Sequence, residues 1–187
     1  AIVYTSGTTG RPKGVMLTHT NIVSNTLQTI GRIGVTEQDE FLSFLPLSHT
    51  FERTVTYYSA LACGACLSIC RGMAQLADDL VQLNPTIMCA VPRVFERFYS
   101  RLMLTYRKMT PKKMSFFTWA QEVGWRRFCR DNGLPVEHSA REFLDLFVAG
   151  YLSRKAALPV RSIFGTRMRM LISGGAALNY TVAKFFC

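Results

Sequence analysis

The sequence predicts an α/β fold, a largely parallel sheet flanked by helices, on three observations. Short apolar runs of strand length, bounded by Gly or Pro, recur at 41–45, 65–70, 86–91 and 167–173. Stretches with apolar residues at helical spacing stand between them, and such alternation closes as a parallel sheet with helices on its faces. The 187 residues are 49% hydrophobic, enough to fill the core of one domain.

Ala1-Ile2-Val3-Tyr4 and Val15-Met16-Leu17 read as short buried strands around a loop, "TSGTTGRPKG" at 5–14. That loop has no large apolar side chain. Its glycines let a ligand approach the main-chain N–H groups, and successive N–H groups in such a turn form an anion-binding concavity. Thr5, Ser6, Thr8 and Thr9 add hydroxyl donors, and Arg11 and Lys13 add positive charge. A polyphosphate suits this set. A flexible Gly/Ser/Thr linker is the other reading, which two flanking core strands disfavour. The spacing matches neither G-x-x-x-x-G-K-[ST] nor G-x-G-x-x-G.

Val23, Leu27 and Ile30 then recur at i, i+4, i+7 and predict a helix over Asn21–Ile30, with Thr20 able to cap its start and Gly31 its end. Phe41–Leu45 reads as a strand stopped by Pro46, 54–62 as a helix ending at Gly64, and 65–70 as a strand. A helix over about 73–83 and a strand over 86–91, between Pro85 and Pro92, follow. Residues 93–160 read as mostly helical, with Phe95, Phe98, Leu102 and Tyr106 on one stripe. The aromatic residues Phe116, Phe117, Trp119, Trp125 and Phe128 stand among Arg126, Arg127 and Arg130. A core-packed amphipathic helix fits them better than an interfacial membrane helix. The strand 167–173 leads into Gly174-Gly175 and a last helix over 181–187.

The net charge of +10 allows nucleic acid, an anionic membrane surface or a polyphosphate as partner, or a plain solvated face. No nucleic-acid-binding motif is present, so nucleic acid is not expected as a partner. The six cysteines do not form a disulfide pattern. Three of them, in "CGACLSIC" at 63–70, lack a fourth zinc ligand nearby and read as strand residues, so no metal site is expected among them. A reducing, cytoplasmic setting follows. No apolar run reaches the roughly 18 residues of a membrane span. The chain starts without Met, and both of its ends fall inside expected elements, so it reads as part of a larger protein.

Four stretches carry a resemblance. "YTSGTTGRPKGVMLTH" (4–19) resembles the signature loop of the adenylate-forming superfamily, which includes acyl-CoA synthetases, luciferases and peptide-synthetase adenylation domains. "FLPLSHTFERT" (44–54) and "VPRVFERFYSRL" (91–102) are similar to the long-chain fatty acyl-CoA synthetase branch. "SGGAALN" (173–179) resembles that family's adenine- and acyl-contacting turn. The resemblance implies an incomplete large N-terminal domain over 1–187, with a helical insert at about 103–160. The acid that holds magnesium, the ribose-binding Asp and the C-terminal domain with its catalytic Lys would lie beyond residue 187.

It further implies that Thr5, Ser6, Gly7, Thr8, Thr9, Gly10 and Lys13 hold ATP phosphates, with Lys13 and His49 as the catalytic residues. Gly174, Gly175 and Ala176 would contact adenine and the acyl chain. Fatty acid, ATP and CoA are the implied substrates, with Mg2+ as cofactor, and peripheral contact with a membrane is allowed. His49 reads as a positioning and gating group, because an ionised acid offers no proton to a general base. Glu52 with Arg53 reads as a local ion pair, and neither this pair nor Glu96 with Arg97 receives a role. His19 and His138 are given no chemistry. Another acid or acceptor within the superfamily, and a non-catalytic phosphate- or membrane-binding module, are the alternative functions.

Overall fold

The computed structural model describes residues 1–5, 11–136 and 158–187, and the chain divides into two compact units. The first comprises Ala1–Ala90 with Phe164–Gly175, and the second Val91–Ile163 with Ala176–Cys187.

The first unit opens with a hairpin of β1 (Ile2–Thr5) and β2 (Lys13–Met16), antiparallel, with Ile2 opposite Met16 and Thr5 opposite Lys13. These strands were expected to be buried. Instead Ile2, Tyr4, Val15 and Met16 are exposed, because the ribbon forms its own two-stranded sheet, apart from the parallel one. Gly14 on β2 has a steric reason: a Cβ there would come within 3.0 Å of the Ile2 side chain.

Helix α1 (His19–Ile33) runs longer than its apolar stripe suggests. Thr18, rather than Thr20, caps it: its hydroxyl accepts from the Asn21 N–H at 3.1 Å, and the Asn21 side chain accepts from the Thr18 N–H at 3.0 Å. Gly34 at φ +65°, rather than Gly31, ends it and donates its N–H to the Ile30 carbonyl.

The four-stranded sheet has the order β4-β3-β5-β6 and is parallel throughout. Its strands are β3 (Glu40–Ser43), β4 (Cys66–Ile69), β5 (Ile87–Ala90) and β6 (Met170–Ser173). Between β3 and β4 runs a continuous helical stretch: α2 (Thr50–Glu52), a π-helical segment (Arg53–Tyr58) and α3 (Ser59–Cys63). Helix α4 (Leu76–Leu83) links β4 to β5. Residues alternate across the strands, and both sets are buried. Phe41 and Ile87 join Val35 and Ala60 in the core on one face, while Leu42 and Met88 are equally buried on the other.

A polar network ties the starts of the strands. Arg169 donates Nε to Asp39 Oδ1 and a terminal nitrogen to Oδ2, both at 2.7 Å, and the Thr86 hydroxyl donates to Oδ1 at 2.7 Å. Such a two-pronged pair is strong. It holds the Asp39 carboxyl below the usual carboxylate range.

The second unit contains α5 (Pro92–Tyr106), α6 (Pro111–Asp131), most of α7 (Leu158–Phe164) and α8 (Tyr180–Phe186). The aromatic stripe of α5 is its core: Leu102 and Tyr106 pack with Phe185, joined by Tyr99 and Phe117. The Trp125 and Phe128 rings stack with each other, and Trp125 meets Tyr180 edge-on. His138 and part of the expected insert lie outside the described residues. No described helix is long and apolar enough to cross a membrane.

Candidate functional site

The described residues among those expected at the site fall in three places. Two of the loop residues, Thr5 and Lys13, stand opposite each other at the neck of the β1–β2 hairpin. The Thr5 hydroxyl lies 3.5 Å from the Lys13 carbonyl. Both residues are exposed, as is Arg11. Paired residues in an antiparallel ribbon share a face, so the Thr5 and Lys13 side chains lie on the same face of the ribbon. Ser6, Gly7, Thr8, Thr9 and Gly10 lie outside the described residues.

His49 follows β3. The chain turns at Pro46, whose carbonyl accepts from the His49 N–H at 2.9 Å. His49 is the cap of α2, and its Nδ1 accepts from the Phe51 N–H at 3.2 Å. An imidazole whose Nδ1 accepts carries its proton on Nε2. The exposed His49 ring can therefore offer Nε2–H to an oxyanion, and no lone pair is left for taking a proton. The arrangement suits orientation of an acceptor better than base catalysis.

Gly174 and Gly175 follow β6. The Gly174 N–H donates to the Ala90 carbonyl at 3.2 Å, which carries the β5–β6 ladder one residue further. Gly175 adopts φ +83°, the left-handed region that favours glycine. A Cβ on Gly174 would overlap the Phe51 ring. Phe51 thus lies directly on the Gly174 backbone, and the His49 and Gly174 turns meet. β3 and β6 both neighbour β5 and run parallel to it, so the two turns leave the same, carboxyl-terminal edge of the sheet. Ligands of open α/β sheets collect there. Ala176 falls in the second unit.

The expected Glu52–Arg53 ion pair is absent. Arg53 donates Nε to the Leu47 carbonyl at 2.8 Å, which braces the loop before His49. Glu52 is fully buried, and neither of its carboxyl oxygens completes a hydrogen bond. Burial pushes its pKa up, offset only in part by the nearby Ser43 and Thr56 hydroxyls and the Phe44 N–H. Sequence reasoning missed this because adjacent opposite charges suggest a surface pair. The usable signal was position: Glu52 and Thr56 are four apart and share one helix face. Glu96 and Arg97 are exposed on α5. Among the described residues no three His, Cys, Asp or Glu side chains come together as a metal site. The cysteines of 63–70 are free thiols, with Cys66 exposed on the edge strand β4.

Comparison with known proteins places these features in a family context. A family described as "AMP-binding enzyme" matches residues 1–187. Fatty acyl-CoA synthetase A of Dictyostelium discoideum is 32% identical over 98% of this chain and 26% of its own length. Long chain acyl-CoA synthetase 2 of Arabidopsis thaliana is 32% identical over 98% of the chain and 27% of its length. A probable CoA ligase of Humulus lupulus gives the same identity and coverage, again over 27% of its length. The chain thus spans about a quarter of the relatives it matches. Among solved structures, the inhibitor-bound N-terminal domain of FACL13 from Mycobacterium tuberculosis superposes over 99% of this chain and 33% of its own, with a TM-score of 0.58 at 20% identity. That likeness shows the fold.

Proposed function

The chain belongs to the AMP-binding enzyme family of adenylate-forming ligases, and on that premise we propose that it is part of the large N-terminal domain of a long-chain fatty acid:CoA ligase. The reaction proposed for the whole protein has two steps. A fatty carboxylate attacks the α-phosphorus of ATP, the bond to the pyrophosphate oxygen breaks, and acyl-AMP forms. The CoA thiol then attacks the acyl carbon, AMP leaves, and the thiol proton passes to solvent. The first step replaces an oxide leaving group, which carboxylates expel poorly, with a phosphate ester.

Catalysis of this kind is mainly positioning and charge stabilisation. Thr5, Ser6, Gly7, Thr8, Thr9, Gly10 and Lys13 hold the β- and γ-phosphates, with Lys13 supplying the charge. His49 directs its Nε2–H at the acyl carboxylate and the α-phosphate and lines them up. Gly174, Gly175 and Ala176 receive adenine and the start of the acyl chain, since small residues let flat groups approach the backbone. Magnesium accompanies ATP in this reading. The described residues offer it no ligand set, and the chain's own residues act on phosphate and carboxylate directly. The proposed setting is cytoplasmic, with peripheral contact at a membrane.

The observation that carries the reading is the meeting of the His49 and Gly174 turns, through Phe51, at the carboxyl ends of β3 and β6. The acid class is supported by the fatty acyl-CoA synthetases that match 98% of the chain. ATP–pyrophosphate exchange by the full-length protein, with a short, an aromatic and a long-chain acid compared, is the test. Exchange highest with the long-chain acid is expected. Exchange with none of them would end the ligase reading, and preference for the aromatic acid would move it to another branch.

A further inference from the structure

Glu52 lies three residues after His49, on the helix that His49 caps. An acid at this place ordinarily reaches back to the cap N–H or faces water at the positive end of the helix. Here the His49 N–H is already bonded to the Pro46 carbonyl, and Glu52 is 0% exposed. Its surroundings come from three elements. Ser43 on β3 and Cys89 on β5 follow the paired Phe41 and Ile87 by two residues, so they stand on the same sheet face. Thr56 adds the π-helical segment, and its hydroxyl is also buried without a hydrogen bond. Among the described residues no cation is paired with the carboxyl, and Arg53 is engaged with Leu47. The Cys89 thiol is pushed up to about 12 by burial and stays uncharged.

A carboxyl placed this way costs stability that an aliphatic side chain of similar size would not. The segment after it is irregular too. Arg53–Tyr58 is π-helical, a widening that is frequent at functional sites. Two locally unfavourable features thus sit directly behind the residue assigned to the acyl carboxylate.

We propose that Glu52 is a positioning residue for His49: its carboxyl, keyed among Ser43, Cys89 and Thr56, fixes the first turn of the helix over the strand ends and so sets the direction of the imidazole. The inference rests on the reading of His49 as the group that aligns the acid. It makes length and shape at position 52 decisive, and charge irrelevant.

The test pairs two substitutions in the full-length protein. Glu52→Gln keeps the length and removes ionisation, while Glu52→Asp keeps the carboxyl and withdraws it by one methylene. Nitrogen-15 spectra of labelled histidine, with His49 assigned by its own substitution, report the Nδ1-accepting, Nε2-protonated form without any need for activity. Glu52→Gln should keep that signature and wild-type exchange. Glu52→Asp should lose it and slow acid-dependent pyrophosphate exchange about tenfold to a hundredfold, with the KM for ATP held within about twofold. In a His49→Ala background, Glu52→Asp should cause no further loss. A Glu52→Asp protein with wild-type histidine spectra overturns the proposal. So does a folded Glu52→Gln protein with a displaced His49, or a Glu52→Asp loss undiminished when His49 is gone. Absence of exchange in the wild type would count against the ligase reading alone, and the histidine spectra would still decide the role of Glu52.

Discussion

Lys13 stands at the neck of the hairpin opposite Thr5, and its proposed contact with phosphate is a charge-assisted hydrogen bond worth roughly 1.5–3 kcal/mol. Lys13→Ala in the full-length protein should therefore slow adenylation about tenfold or more, mostly through ATP handling. Unchanged ATP kinetics would remove Lys13 from the phosphate site. His49→Ala should impair acyl-AMP formation while the melting temperature stays close to wild type, because the ring is exposed and its bond to the Phe51 N–H is local. A large fall in melting temperature with normal turnover would make His49 structural. Glu52 gives a pH prediction. Burial holds its folded-state pKa above the ordinary value of 4.5, so the folded protein binds more protons than the unfolded chain as pH rises past that value. Stability then falls with rising pH, up to the folded pKa. Among the described residues, the titratable neighbour is Cys89, itself uncharged. Glu52→Gln should remove this decline, so its gain in unfolding midpoint over wild type should grow from pH 5 to pH 8. A pH-independent difference would mean that the carboxyl is not held protonated. Lys13 and His49 stand out as candidates in the sequence because their motifs are dense in unusual residue types. The state of Glu52 was not, because burial is a property of what packs around a residue.

At the scale of elements, the apolar runs located β3, β4, β5 and β6 to within a few residues, and the helical stripes located α1, α4 and α5. Element ends were less legible. Thr18 and Thr20 are both competent caps by residue type, and the choice fell to Thr18 because Asn21 completes a reciprocal pair with it. Thr18→Ala should cost about 1 kcal/mol, read as a lowered unfolding midpoint in denaturant. Thr20→Ala should cost little. Gly31 likewise gave way to Gly34, where the backbone enters the left-handed region. The π-helical segment after His49 had no sequence cue at all. It packs against β3 and β5, strands that come before and after it in the chain.

Across the whole molecule, the Asp39–Arg169 pair joins residues 130 positions apart and ties the start of β3 to that of β6. Arg169→Met would leave a buried carboxylate unpaired. The guanidinium side chain is 37% exposed, so a loss of about 2–3 kcal/mol is expected, at or below the low end for a fully buried pair. The Asp39 carboxyl is held below its ordinary value of 3.8. The stability it adds is therefore complete above that value and is lost as pH falls through and below it. Wild type should thus lose stability more steeply than Arg169→Met below about pH 5, and parallel curves would show that the pair is not coupled to folding. The β1–β2 ribbon and the outer side of α1 leave Ile2, Met16, Val23 and Leu27 exposed, and a lone two-stranded ribbon is marginal by itself. Residues 1–187 expressed alone should self-associate and form no acyl-CoA, and a monodisperse, exchange-competent monomer on size exclusion would refute this. The sequence by itself determined the α/β class, the order of most elements and the family, because periodicity and dense short motifs are local properties of the chain. Only the tertiary structure decided that the first two strands stand exposed as a separate ribbon and that Phe51 brings the His49 turn onto Gly174. It also decided that Glu52 lies buried with no counter-charge among the described residues. Each of these depends on which residues, far apart in sequence, come to occupy the same few ångströms.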